Sequence, residues 1–516
     1  MNVLKESYEQ GWAAYEDGRF DDAARLFEQV LSGAPGDARV LAMLAVTLLH
    51  RDGPKGARSH LDAAIAALGE TALESEIALE LCAQLMQVAE ASGDAAGVYG
   101  RIAPHARAAA AAARTPAAGA GLYDIAVTLA AIANDLELIR AFFNSYMPGA
   151  VGLDLPMVAS PVMSLRDWTL PKKRWLELDP PETVRLECGE YARVYQSVGH
   201  AAGVIPMGEI LCGWDFVVTP RGEVIHDINY LNDPKMYTGG WFPHAFDESH
   251  GRFFHPWPER SAFHDADVLY LSAPAFLSIG HWQCDFLRRL RVLRHFPAAK
   301  IAVPADLPPK HREMLALFGV KQEDIIECAL GARYRFRNLI VSKCGSSMGC
   351  SPKDLRFLGA ALCAPPAPGP RTRVFLTRAA STRKIVNQDE VTERLTALGF
   401  DFFNLATASI AAQRHCLAQA DIVIASMGSD LLASMFLQAG AHIIALDYNQ
   451  PEVDLVTGAL DCAATGIHAA ARNVNFHLLA CAAAEQRGVA FQRKDSDFVV
   501  DCDALERMIR GIPPGA

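Results

Sequence analysis

Continuous apolar runs and helix-like runs alternate along residues 371–449. The apolar runs have the length and composition of strands that are buried on both faces, and the runs between them place apolar residues at helical spacing. The strand-like runs are 373–377, 421–425 and 442–446, and the helix-like runs are 388–398 and 410–420. Strands that alternate with helices through short loops predict a doubly wound α/β domain, in which ligands bind outside the carboxyl ends of the strands.

Two of these predicted strand ends carry groups that suit a phosphate. The first end is followed by a basic loop, and the second by a turn of small residues that leads into a helix, where backbone N–H groups are available. Guanidinium and ammonium groups bind phosphate oxygens through charge-assisted hydrogen bonds. The basic loop contains Arg378, Arg383 and Lys384, and the turn contains Ser426, Gly428 and Ser429. We expect these groups to hold a phosphate or a diphosphate.

A second stretch with the same alternation precedes the first. Its strand-like runs are 268–272, 300–303 and 339–341, and its helix-like runs are 281–296 and 309–318. The proline-rich segment 363–370 is typical of a stiff linker and separates the two stretches. The pattern therefore predicts an α/β half over residues 151–362 and another over residues 363–516, after a helical domain over residues 1–150.

The predicted helix 281–296 has a polar face opposite its apolar stripe. His281 and Asp285 lie four residues apart on that face and are therefore neighbours. A carboxylate can act as a general base, and Asp285 is the first candidate for that role and Asp227, at the end of a predicted hairpin strand, is the second. The residues alone favour a structural role, in which His281 caps the helix and Asp285 complements its dipole.

Small residues recur at regular intervals in the first seventy positions. Gly11, Ala23, Phe27 and Pro35 match the spacing of a tetratricopeptide unit, a helix–turn–helix of about 34 residues. The helical pattern continues to residue 147, and the proline-rich residues 150–190 are expected to form an irregular connection. Repeats of this kind build concave surfaces that bind partners, but the region equally suits packing on the rest of the chain or self-association.

Composition and charge narrow the class of protein. The 516 residues carry a net charge of −11, which argues against general nucleic-acid binding. The first residues do not resemble a signal peptide and no apolar run is long enough to span a membrane, so we expect a cytoplasmic protein, with a peripheral position at the inner membrane as the second option. The 12 cysteines contain no Cys-x-x-Cys pair, which favours reduced thiols.

An ordered series of residues resembles glycosyltransferase family 61. The series is Arg378, Arg383, Ile385, Asn387, Glu390, Gly399, Gln413, Gly428, Leu431, Phe436, Gly440 and Ile444. The segment 278–290, which contains His281 and Trp282, resembles the His-Trp segment of the same family. The resemblance implies two Rossmann-like halves in a GT-B arrangement, and an enzyme that moves a sugar from a nucleotide sugar to a glycan acceptor with inversion. It implies a role in capsular or other surface-polysaccharide synthesis.

The resemblance also assigns roles to residues. It implies that Arg378 and Arg383 hold the diphosphate, that Lys384 and Asn387 add to the donor site, and that His281 and Asp285 face the cleft between the halves. Arginines that stabilise the leaving group make a metal unnecessary, so we expect no cofactor besides the nucleotide sugar as co-substrate. Three Asp-x-Asp pairs, 265/267, 495/497 and 501/503, are too short a motif to predict a metal site.

The turn after the second strand departs from the family pattern. Met427 and Ala433 stand where the family has polar residues, and Asp430 would repel a diphosphate bound nearby. These departures support an alternative, a non-catalytic scaffold with a degenerate transferase fold that binds a protein partner through its repeats. An open arginine-lined cleft would favour the enzyme, whereas a cleft closed by Met427 and by pairing of an arginine with Asp430 would favour the scaffold.

Overall fold

The chain forms two compact units in the computed structural model. One unit contains Met1–Val162 and Pro234–Glu259, and the other contains Met163–Asp233 and Arg260–Ala516. The structure describes residues 2–70, 75–112, 135–138, 140, 155–188, 191–214, 216–225, 245–247, 251–271, 277–344, 350–366, 369–378, 384–447, 468–484 and 497–513. No helix within these ranges is at once long enough and apolar enough to traverse a bilayer.

The first unit is a stack of helix pairs, as the repeat spacing predicts. Its helices are Asn2–Glu16, Phe20–Gly33, Ala38–Asp52, Pro54–Glu70, Ser75–Ala91 and Ala95–Ala112. Gly18, at a φ of 73°, makes the first turn, and Asp37 caps the third helix by accepting hydrogen bonds from the N–H groups of Arg39 and Val40. A Cβ atom on Gly11 would lie 2.9 Å from the ring of Phe27, so a small residue there lets the first two helices pack closely.

The expectation of an irregular connection over residues 150–190 is wrong. The segment contains strand Met157–Met163, helix Leu165–Thr169, and strands Trp175–Asp179 and Thr183–Cys188. Its prolines occupy positions that regular structure tolerates, since Pro171 lies at the start of a 3₁₀ turn and Pro180 and Pro181 lie between strands. Strand Met157–Met163 pairs antiparallel with Arg252–Pro256, which in turn pairs with Ala245–Asp247.

The second unit begins with a mixed sheet. Its parallel strands, in spatial order, are Ile325–Cys328, Lys300–Pro304, Ser261–Tyr270 and Arg333–Lys343. Arg333–Lys343 then pairs antiparallel with His200–Pro206 and Glu209–Leu211, and a short hairpin, Val217–Val218 with Val224–Ile225, continues the sheet. Trp175–Asp179 pairs with His200–Pro206, while Thr183–Cys188 and Tyr191–Gln196 form a separate hairpin. Helices Pro309–Leu317 and Pro352–Leu362 accompany this sheet, together with the helical segment 279–294.

A parallel sheet of five strands follows the proline-rich segment. Its strands in spatial order are Phe400–Phe403, Thr372–Leu376, Ala420–Ser426, His442–Asp447 and Asn475–Ala480. Helices Gln388–Ala397, Ile410–Gln419 and Cys502–Gly511, a 3₁₀ helix Ser429–Phe436 and a small strand pair, Ala482–Ala483 with Phe498–Val499, accompany it. Gly399 ends a helix at a φ of 76°, as expected for a left-handed cap. The chain thus combines a helical repeat region with a mixed α/β region.

Candidate functional site

The predicted helix 281–296 exists but is not a regular α-helix. It starts with the turn Ile279–His281, widens into a π segment, Trp282–Phe286, and tightens into a 3₁₀ segment, Leu287–Arg294. Short π segments within helices occur frequently at functional sites. The widened turn contains Asp285, one of the two polar residues that the sequence singles out.

His281 and Asp285 form a hydrogen-bonded pair. His281 Nδ1 lies 2.8 Å from Asp285 Oδ2, while the other carboxylate oxygen lies 3.5 Å from Nη2 of Arg288. The side chain of Asp285 is 1% exposed and that of His281 is 41% exposed. The imidazole is therefore the member of the pair that a substrate can reach, and the buried carboxylate fixes its orientation.

The pair rests on a buried cluster. Arg288 and His468 are both fully buried beside Asp285. Burial and the neighbouring Arg288 lower the pKa of His468 to about 4, so its imidazole is neutral at pH 7. Burial raises the pKa of the nearby thiol of Cys350 to about 12, which makes it an inert core group.

The turn that follows strand Ala420–Ser426 contacts the helix that carries His281. Gly428 has a φ of 125°, a conformation that favours glycine, and starts the 3₁₀ helix Ser429–Phe436. A Cβ atom on Gly280 would lie 2.7 Å from Oγ of Ser429, and Gln283 Nε2 donates to the carbonyl of Leu432 at 3.0 Å. The structure thus brings the His281 segment and the predicted phosphate turn into direct contact.

Arg378 lies at the same turn. Its Nη1 donates to the carbonyl of Met427 at 3.3 Å, and its Nε lies 3.9 Å from Oδ2 of Asp430. Met427 is buried, and its N–H donates to Leu446 across the sheet. The pairing with Asp430 that the scaffold alternative predicts is therefore present, although 3.9 Å is the outer limit of an ion pair.

Lys384 and Asn387 lie at a different contact. The Lys384 N–H donates to Asp497 at 2.7 Å. Asn387 exchanges two hydrogen bonds with the backbone of Val500, at 2.9 Å from its Nδ2 and 3.0 Å to its Oδ1. Both residues join the helix Gln388–Ala397 to the C-terminal segment. Two further predicted site residues, Asp227 and Arg383, lie outside the described residues.

A cavity of about 620 Å³, here called the cleft cavity, lies between the two α/β halves of the second unit. It is lined by Leu277, Ile279, Gln283, Pro308, Pro309, Lys310, His311, Glu313, Leu405, Ala406, Thr407, Ser409, Gln413, Ser429, Asp430, Ala433 and Phe436. Ile279 and Gln283 face this cavity from one side of the helix. His281 lies between them in the chain and does not line the cavity, which reaches the phosphate turn at Ser429 and Asp430.

Two charged side chains of the cleft cavity, Lys310 and Glu313, bind backbone groups. Lys310 Nζ donates to the carbonyls of Leu405 at 2.8 Å and Ala406 at 2.6 Å. The carboxylate of Glu313 accepts the N–H of Ile410 at 2.9 Å, at the start of a ten-residue helix. Burial lowers the pKa of Lys310, and Glu313 opposes that effect. These contacts hold the loop 405–410 against the other half. The sequence spacing of Lys310 and Glu313 does not predict them.

The predicted acidic pairs have structural partners where they are described. Asp267 accepts hydrogen bonds from Arg337 at 2.9 Å and from Asn338 at 2.9 Å, and Asp265 pairs with the same arginine at 3.3 Å. Asp501 caps the last helix. In the described ranges no three carboxylate, imidazole or thiol groups are gathered so that they could hold a metal ion.

The family comparison matches the part of the chain that contains this site. Residues 279–444 match the Glycosyltransferase 61 family model. The resemblance carried by the His-Trp segment and the arginine series is thus confirmed. In this Glycosyltransferase 61 stretch lie the His281–Asp285 pair, Arg378 and the Gly428 turn. Residues 14–75 match a tetratricopeptide repeat model, which confirms the repeat spacing.

Several solved structures share local similarity with the chain. A crystal structure of MamA protein is 14% identical, covers 28% of this chain and 82% of its own, and has a TM-score of 0.17. The structure titled MamA MSR-1 C2 is 17% identical over 28% of this chain and 84% of its own, with a TM-score of 0.16. TTC0263, a thermophilic TPR protein in Thermus thermophilus, is 20% identical over 28% of this chain and 81% of its own, with a TM-score of 0.17. These scores are too low to indicate a shared arrangement. No curated protein matches the chain in sequence.

Proposed function

We propose that the chain is an inverting glycosyltransferase that moves a sugar from a nucleotide sugar to a glycan acceptor in surface-polysaccharide synthesis. The observation that carries the proposal is the His281–Asp285 pair, which lies within the family-matched stretch and adjoins the Gly428 turn at the strand ends. In this proposal the two sheets of the second unit are the Rossmann-like halves of a GT-B arrangement, and the donor binds at the carboxyl ends of the second sheet; the parallel order of that sheet supports the assignment.

In this proposal His281 is the base, and Asp285 is a positioning residue. An inverting transfer needs a group that takes the proton of the acceptor hydroxyl as that oxygen attacks the sugar. Asp285 is 1% exposed and engaged by His281 and Arg288, so it does not reach an acceptor itself. A buried carboxylate on one ring nitrogen fixes the imidazole tautomer and stabilises the imidazolium that forms. The first candidate for the base thus becomes the residue that orients it.

The leaving diphosphate needs positive charge and backbone N–H groups. Arg378 is the described guanidinium at the turn, and the family pattern adds Arg383. Since Asp430 competes for Arg378, the arginine must turn from that carboxylate to the diphosphate when the donor binds. No step of this scheme uses a metal. The cleft cavity, whose Lys310 and Glu313 are engaged with backbone groups, suits an uncharged part of the donor.

The proposal is tested by incubating the protein with nucleotide sugars and a mixture of glycan acceptors. Release of free nucleotide reports transfer, and the NMR coupling constant of the new anomeric proton reports inversion. His281→Ala should abolish transfer and leave nucleotide binding unchanged, whereas His415→Ala, an exposed histidine in the helix Ile410–Gln419, should leave both unchanged. Transfer at the wild-type rate by the His281→Ala protein would contradict the role of the base.

The second candidate function is a partner-binding scaffold. It is favoured by the Arg378–Asp430 contact and by the tetratricopeptide match over residues 14–75, since such repeats bind proteins. Against it, a cavity of about 620 Å³ lies between the halves, although its described lining contains no arginine and it is therefore not the arginine-lined cleft that would favour the enzyme. The scaffold requires that the chain bind a protein partner while no nucleotide binds, so one nucleotide titration separates the two functions.

A further inference from the structure

The second unit contains another cavity, away from the His281–Asp285 pair and the cleft cavity. This basic cavity measures about 580 Å³ and lies where the end of the 279–294 helix covers the first sheet. It is lined by Lys173, Arg174, Trp175, Leu176, Val204, Asp267, His295, Phe296, Asn338 and Ile340. None of these residues takes part in the proposed transfer, so the cavity has no role in that reaction.

We propose that the basic cavity binds a saccharide that carries anionic groups. The lining combines three kinds of group that together recognise such a ligand. Trp175 and Phe296 are half-buried aromatic side chains, which can cover the apolar face of a sugar ring. Asn338 offers amide hydrogen bonds to hydroxyl groups. The exposed Lys173 and Arg174 offer positive charge to a carboxylate or phosphate.

The positive charge of this site is not cancelled by its one carboxylate. Asp267 accepts hydrogen bonds from Nε and Nη2 of Arg337, at 3.0 and 2.9 Å, and from Nδ2 of Asn338 at 2.9 Å. Hydrogen bonds from Asn338 and Arg337 keep the pKa of Asp267 below its ordinary value, so the carboxylate is a stable partner of Arg337. Within the described part of the chain, Lys173 and Arg174 take part in no ion pair.

Further cations lie close to Arg174, outside the lining of the cavity, although the chain as a whole carries a net charge of −11. Lys172 lies 3.0 Å from the centre of the Trp168 ring, and Arg221 lies over the same ring at 5.7 Å. Burial, followed by repulsion from Arg221 and Arg174, lowers the pKa of Lys172. Lys173 has a φ of 54°, a conformation that lysine rarely adopts.

The ligand class can be tested by calorimetric titration of the full chain with three probes. Trigalacturonate carries carboxylates, glucose 6-phosphate carries a phosphate, and cellotriose is a neutral saccharide. We expect one or both anionic probes to bind, more weakly as salt is raised because exposed charges are screened, and the neutral probe to bind at least about tenfold more weakly. The anionic probe that binds more tightly identifies the group as carboxylate or phosphate.

A pair of variants assigns the binding to the basic cavity. Lys173→Gln with Arg174→Gln removes two exposed charges and should weaken the anionic probe by about tenfold or more. Lys321→Gln with Arg356→Gln removes the same charge from exposed positions outside the cavity and should leave binding unchanged. Circular dichroism and thermal melting should show both variants folded.

The inference is overturned if neither anionic probe binds at about 10 mM, if the neutral probe binds equally well, or if the two double variants behave alike. Nucleotide binding by the same proteins is a separate readout. The Lys173→Gln, Arg174→Gln protein should bind nucleotide as the wild type does. Absence of nucleotide binding in the wild type would therefore bear on the proposed transferase and not on this cavity.

Discussion

The contact between Gly280 and Ser429 gives the sharpest test of how the site is assembled. A Cβ atom added at Gly280 would lie 2.7 Å from Oγ and 3.1 Å from Cβ of Ser429, and 3.2 Å from a methyl group of Leu432. Ordinary contact begins near 3.4 Å, so the hydroxyl of Ser429 must rotate away and the 3₁₀ helix must retreat by about 0.3 Å to relieve the Cβ contact. Overpacking of this kind costs about 1–3 kcal/mol, while alanine in a helix regains about 0.5–1 kcal/mol over glycine. We expect Gly280→Ala to lower the free energy of unfolding by about 1–2 kcal/mol.

A double-mutant cycle with Ser429→Gly isolates this contact. Ser429→Gly removes both serine atoms that the new methyl group would meet, so Gly280→Ala should cost at least about 1 kcal/mol less in that background. The assay is urea unfolding followed by tryptophan fluorescence. Gly511→Ala, in a helix of the same unit with open space around the added atom, should be neutral or slightly stabilising. Equal stability of Gly280→Ala and Gly511→Ala would contradict the predicted overpacking at Gly280. A destabilisation by Gly280→Ala that Ser429→Gly does not reduce would contradict it as well.

Three further predictions concern polar side chains outside the proposed catalytic pair. The pKa of His468 is lowered to about 4 from an ordinary 6.5, so the unfolded chain binds the proton first as pH falls. In urea unfolding, the wild type should therefore lose about 2 kcal/mol of stability relative to His468→Leu between pH 7 and pH 5. Burial alone would raise the pKa of Asp179, but hydrogen bonds from Arg291 and Lys353 hold it below its ordinary value. Asp179→Asn should therefore lower the free energy of unfolding by about 3 kcal/mol at pH 7. In acid unfolding, this difference from the wild type should shrink below about pH 4. Asn387→Ala should lower the melting temperature and leave nucleotide affinity unchanged, because its amide is bound to the backbone of Val500.

Each of these predictions has a result that contradicts it. Parallel pH profiles for the wild type and His468→Leu would show that this imidazole titrates normally. A constant difference between the wild type and Asp179→Asn down to about pH 3 would mean that the carboxylate is not stabilised by its partners. A loss of nucleotide affinity on Asn387→Ala at unchanged melting temperature would return this residue to the donor site.

The sequence predicts the α/β elements well because their apolar periodicity is local. The strands around 373–377, 421–425 and 442–446 are present with ends within one or two residues. Residues 150–190 were harder to predict, because prolines at turns and at the start of a 3₁₀ helix resemble those of a linker. Proline content alone does not separate these cases.

The candidate site is predictable only in part, since its geometry depends on contacts between residues far apart in the chain. The i, i+4 spacing predicts that His281 and Asp285 are neighbours. It does not predict that Asp285 is buried beside Arg288 while His281 stays exposed. Lys310 and Glu313 meet the loop 405–410 from about a hundred positions away. The basic cavity likewise combines separate stretches of sequence.

We propose that the second unit binds a nucleotide sugar at the Gly428 turn. Calorimetric titration of the wild type and Arg378→Ala with UDP, GDP, CMP and their sugar conjugates measures this binding. We predict that one nucleotide family binds the wild type and that Arg378→Ala weakens it by about tenfold or more, because a charge-assisted contact to the diphosphate is lost. Equal affinity in the two proteins, or no binding by any of these ligands, would contradict the account and leave the scaffold as the function to pursue.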